Sequence, residues 1–145
     1  MKTIYFNHVK FQYKTFYELR KEAKNYYIEI RKGTKIGNNV TLRYRASIGE
    51  NCTIADNVEI GDYSIIGNNV SIGDNVSLGR FVSVANNVKI SGFTRIFDNA
   101  KIFSNAKIEE KVIIEEGAFI GFNSIIRKGA HIKKGVEIED DAEIK

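Results

Sequence analysis

Few residues in this chain can move a proton or hold a soft metal near neutral pH. There are two histidines, His8 in YFNHVKF and His131 in GAHIKKG, and one cysteine, Cys52. Histidine is the side chain whose ordinary titration falls in that range, so these two are the candidate acids or bases. The two histidines and the one cysteine form no Cys/His cluster with the spacing of a zinc site. We therefore expect no metal, and a lone cysteine excludes a disulfide within the chain.

What must position these residues is a repeat. GDYSIIGNNVSIGDNVSLG, residues 61–79, has Ile66, Ile72 and Leu78 six apart, and stepping by six from Ile30 meets Ile, Leu or Val at every position through Ile144. Two residues before each aliphatic stands a small or β-branched residue, such as Ala46, Cys52, Val58, Ser64 and Val70. A helix repeats near 3.6 and a strand at 2, so a period of six fits neither alone. It fits a short strand and a corner, two residues pointing inward before the chain turns. Cys52 then reads as a packed thiol. With three units per turn, residues 18 apart stack at the inter-strand spacing of about 4.8 Å. Asn51, Asn69, Asn87, Asn105 and Asn123 form one such column, and Asn39, Asn57 and Asn75 another. Asparagine tolerates the left-handed backbone of turns, so corner columns are where it should collect.

This register resembles the hexapeptide-repeat family of left-handed parallel β-helices, over about residues 30–145. The resemblance implies an all-β solenoid, three hexapeptides per coil, and it alone supplies the left hand, since the general crossover preference is right-handed. Residues 1–29 read as a small N-terminal cap of strand plus short helix, and 30–145 as the β-helix. Residues 3–11 (TIYFNHVKF) are rich in strand formers, and Thr15 with Glu18 has the spacing of a capping box opening a helix through about Asn25. A cap at this end covers strand edges that a first coil would expose.

Charge is uneven along the chain. Residues 1–35 carry nine Lys/Arg against three Glu, and residues 109–145 carry six against nine Asp/Glu. Nucleic-acid binding asks for a basic, aromatic-interleaved surface; here the basic bias belongs mainly to the cap, and we expect no nucleic-acid partner. No apolar run approaches the roughly 20 residues of a membrane span, and no leader pattern opens the chain. The expectation is a soluble cytoplasmic protein.

Aromatic and apolar residues break the outward polar rule. Tyr63 and Phe81 stand at corners 18 apart with Arg45 one coil below, predicting an arginine on two stacked rings. Phe93, Phe97 and Phe103 replace small or polar residues, and Ile113, Phe119 and Ile125 take outward strand positions near Phe122. A soluble monomer has little reason to expose so many. Subunit contact and an acyl or nucleotide pocket both explain them, and a closed homotrimer burying several of them is expected.

What the resemblance implies for function is broader, because the family holds acyl- and acetyltransferases, γ-class carbonic anhydrases and non-catalytic subunits. Two histidines do not supply the three that the carbonic anhydrases use. For the acyltransferases, it implies an acetyl-CoA or acyl-CoA co-substrate, a site between subunits, and a histidine base for a hydroxyl or amine acceptor such as a sugar. His131 is the candidate. Its Ala-His-Ile setting is similar to that of UDP-N-acetylglucosamine acyltransferases, whose catalytic histidine falls three residues later, where this chain has Lys134. FIGFNSIIRKG, residues 119–129, resembles the coils that carry pantetheine, with Gly121, Phe122 and Ser124 beside the arm and Arg127 and Lys128 toward its phosphates. The alternative is a non-catalytic trimeric scaffold or binding module with a protein partner.

Overall fold

The computed structural model describes all 145 residues. From Glu29 onward the chain forms two-residue strands separated by four-residue corners, with one strand of three residues at Val40–Leu42. Three parallel sheets result, making a left-handed β-helix of about six turns. Sheet 1 runs from Val40–Leu42 through Ile113–Ile114 to His131–Ile132; sheet 2 from Glu29–Ile30 through Phe119–Ile120 to Glu137–Ile138; sheet 3 from Lys35–Ile36 through Ile125–Ile126 to Glu143–Ile144. Every strand pairs with the one 18 residues away, as Ile72 does with Ile54 and Ile90.

The aliphatic register is the core. Its members from Ile30 to Ile132 are all buried, and so is Cys52. Ile138 and Ile144 are half-buried because no further coil lies over them. Inward hydroxyls are satisfied along the axis: Ser64 donates to the Gly79 carbonyl at 2.8 Å and accepts from the Val82 N–H at 3.1 Å.

Every sixth corner residue adopts the left-handed conformation, including all eight asparagines of the two predicted columns, with φ from 56° to 65°. Arg45, Tyr63, Phe81 and Phe93 do so too, which costs a side chain with Cβ more than it costs Asn or Gly. The preceding corner position adds a staple: Asn68 Oδ1 accepts from the Glu50 N–H at 2.9 Å, and Asn86 Oδ1 from the Asn68 N–H at 2.8 Å. Corner asparagines thus serve as turn formers at one position and as rungs between coils at the position before it.

The N-terminal segment differs from a single strand plus helix. Asn7, at φ 57°, breaks it into the hairpin β1 (Lys2–Phe6) and β2 (Val9–Tyr13). β1 lies parallel to Val40–Leu42, so it extends sheet 1 in place of an earlier coil, with Ile4 and Phe6 fully buried. Helix α1 (Phe16–Ala23) starts where predicted: Thr15 Oγ1 accepts from the Glu18 N–H at 3.2 Å. The return bond goes to the Lys14 N–H instead of Thr15, also at 3.2 Å. Leu19 and Ala23 are buried beneath it, and a 3-10 turn carries Lys24–Tyr26. No helix is long and apolar enough to cross a membrane.

Candidate functional site

His131 opens the last strand of sheet 1, directly in register with Ile113. Its inward neighbour Ile132 is core, so alternation along the strand turns the imidazole outward, about half exposed. Glu115 stands at the first corner position after Ile113–Ile114, and its Oε2 meets His131 Nε2. The two lie in a groove of about 400 Å³ lined also by Phe97, Asp98, Ile113, Glu116 and Lys134. Asp98 is partly occupied by Arg80, at 3.4 Å, and accepts from the Arg80 N–H at 2.8 Å. An imidazole whose Nε2–H is given to a carboxylate keeps its lone pair on Nδ1, and is oriented to take a proton there. Phe97 and Ile113 give the groove an apolar wall.

The residues expected along a pantetheine arm do not gather in one place. Gly121 and Phe122 occupy the corner between sheets 2 and 3; Arg127 and Lys128 occupy the corner between sheets 3 and 1. Ser124 is fully buried, its hydroxyl donating to the Gly121 carbonyl at 2.7 Å, so its side chain faces the core. Gly121 is small for an internal reason: a Cβ there would stand 2.6 Å from the Asp140 nitrogen of the next coil. Phe122 is exposed and lies against Phe103 at 5.0 Å, with Phe119 on the other side of Phe103 at 5.7 Å.

Arg127 is engaged rather than free. Its Nε reaches Glu143 at 2.7 Å and its Nη1 reaches Glu109 at 2.9 Å. These bonds, Glu143 first, hold the guanidinium above its ordinary range. Glu109 also accepts from the Lys128 N–H at 2.9 Å, and that bond, with Arg127, holds its carboxyl below the usual carboxylate range. A group depressed in the folded state stabilises fully above its ordinary value, and that contribution is lost as pH falls through the lowered one. Glu109→Gln is therefore expected to lower the thermal midpoint near about pH 7, and its difference from wild type should close as pH falls below the carboxylate range. A gap independent of pH would remove the carboxylate from this account.

Sequence reasoning missed Glu115, Asp98 and Glu116. The signal was present in the register alone: corner residues 16 before and 33 and 15 before an outward strand residue share its edge of the prism. The aromatic column is also richer than predicted. Tyr63 and Phe81 do stack, with centroids 5.1 Å apart and planes at 5°. Arg45 lies instead over Tyr27 and Tyr44, at 5.2 and 5.5 Å, because Tyr44 sits edge-on to Tyr63 and takes that place. His8 lies in the hairpin turn of the N-terminal segment, away from the groove.

Comparison with known proteins bears on the fold. A family model described as bacterial transferase hexapeptide (six repeats) matches residues 27–62, 45–72 and 93–128. No curated protein matches the sequence. Among solved structures, PerB from Caulobacter crescentus in complex with CoA and GDP-perosamine is similar at 12% identity and TM-score 0.61, over 81% of this chain and 58% of that one. A UDP-N-acetylglucosamine acyltransferase from Bacteroides fragilis is similar at 23% identity and TM-score 0.58, over 77% of this chain and 54% of that one. A hexapeptide transferase family protein from Anaplasma phagocytophilum is similar at 14% identity and TM-score 0.55, over 96% and 75%. The chain thus spans between about half and three quarters of the length of these structures, and at such identities the likeness is one of fold.

Proposed function

Because the chain belongs to the bacterial transferase hexapeptide family, we propose that it is an acyltransferase, moving an acyl group from a CoA thioester to the hydroxyl or amine of a small acceptor such as a sugar. The observation that carries this reading is the His131–Glu115 pair in its groove. Nδ1 of His131 takes the acceptor's proton as its oxygen or nitrogen bonds to the thioester carbonyl carbon. Glu115, a positioning residue, holds the ring and balances the imidazolium. Lys134, the groove's one permanent cation, supports the oxyanion. As the carbon–sulfur bond breaks, the imidazolium returns its proton to the leaving sulfur.

The scattered apolar residues support a subunit-shared site. A closed ring uses two different patches on each copy, and two are available: Phe97 with Ile113 beside His131, and Phe103, Phe119 and Phe122 on the sheet 2 side. In a homotrimer joining these patches, Phe122 and Gly121 of one subunit approach His131 of the next, with Lys128 reaching toward the donor's phosphates. Light scattering at micromolar concentration is expected to give three times the monomer mass, and a monomer would overturn the shared site.

The direct test is release of free thiol from acetyl-CoA with a panel of amino-sugar and hydroxyl acceptors. Acceptor-dependent release supports the reading. Its absence with every acceptor, together with no CoA binding at about millimolar concentration, would leave the non-catalytic scaffold.

A further inference from the structure

We propose that the outer face of sheet 3 carries a phosphate-binding site built on Lys89 and Lys107. The two lysines are direct partners in the parallel ladder, one coil apart, so their side chains leave the sheet about 4.8 Å from each other. Both are exposed, and neither ammonium takes part in an ion pair. Like charges facing each other across neighbouring strands destabilise a sheet. No carboxylate next to them in the outward row relieves them: their ladder neighbours are Ser71 on one side and Ile125 on the other, and Glu143, beyond Ile125, is held by Arg127.

A groove of about 410 Å³ opens along this pair and runs to Lys128 at the corner, with the Ser91 hydroxyl on its wall. Two carboxylates border it. Glu109 is occupied by Arg127 and by the Lys128 N–H. That leaves three ammonium groups facing Glu110 alone. Lysine binds phosphate as a point charge through charge-assisted hydrogen bonds, and a row of ammoniums along a groove suits a ligand carrying two phosphates. Elsewhere an outward lysine has other work: Lys101 lies over the Phe119 ring at 5.4 Å.

The site lies on a different sheet from His131 and stands whether or not the chain transfers acyl groups. Its diphosphate chemistry has two sources, the nucleotide half of a CoA thioester and the nucleoside diphosphate of an activated sugar. Calorimetric titration of the whole protein at low salt with inorganic pyrophosphate, adenosine 3′,5′-bisphosphate and UDP separates them. We expect pyrophosphate to bind, and the double variant Lys89→Gln/Lys107→Gln to bind it at least about tenfold more weakly. The thermal midpoint of that variant should not fall, since the change removes a repulsion. Lys10→Gln/Lys21→Gln, exposed lysines outside the groove, should leave binding unchanged. Tighter binding of adenosine 3′,5′-bisphosphate assigns the site to the donor, and tighter binding of UDP assigns it to the acceptor. Absence of binding by all three ligands up to about 10 mM, or equal weakening by both double variants, would overturn the proposal.

Discussion

Replacing His131 by alanine is expected to lower acyl-transfer turnover by about 10²- to 10⁴-fold, the contribution of a positioned general base. The imidazole is about half exposed and carries no core packing, so CoA affinity and thermal midpoint should stay near wild type. The loss would then appear in kcat and kcat/KM together, marking an interaction made in the transition state. Glu115→Gln separates orientation from charge. It keeps the side-chain size beside Nε2 but removes the charge that balances an imidazolium, so it should lower kcat by a smaller factor with KM held. Full activity in His131→Ala would remove the residue from the chemistry. Full activity in Glu115→Gln alone would leave the histidine as base with no need of its partner.

The second large effect concerns the scaffold. Ile72→Ala is expected to destabilise the protein by about 2 to 5 kcal/mol, as a large-to-small change at a fully packed position. Ile72 is 1% exposed and lies between Ile54 and Ile90 in the middle coils. Each coil of a solenoid is held by its neighbours, so a cavity there weakens two inter-coil contacts at once. Ile65, seven residues earlier, is 58% exposed. Ile65→Ala should cost within about 0.5 kcal/mol. Denaturant midpoints for the pair check both figures, and equal losses would contradict the inward and outward alternation on which the site's geometry depends.

How much was legible depends on the distance over which each feature is decided. Ile30 through Ile132 were placed inside by the six-residue period alone, because in a solenoid each residue's environment repeats its neighbour's one coil away. The same reasoning put the asparagines at left-handed corners and Thr15 at the helix start. These are local consequences of backbone sterics and of a repeating burial pattern, and they need no knowledge of the rest of the chain. The N-terminal segment was read less well. Its strand-forming residues gave no sign of the break at Asn7 or of the parallel pairing of β1 with Val40–Leu42, a contact across more than thirty residues that the period does not reach.

The site divides along the same line. His131 was found from residue type and register, but Glu115 was not, because carboxylates are common and only the coil geometry brings one corner of the preceding turn against the imidazole. Ser124, Gly121, Arg127 and Lys128 are neighbours in sequence, yet the triangular cross-section sends them into the core, to one corner and to another. The sequence by itself determined the repeat, the buried register and the turn chemistry. Only the tertiary structure decided which side chains share an edge of the prism, because a period of six fixes each residue's direction relative to the axis while contact between side chains depends on position 16 to 18 residues away, after a full turn of the chain.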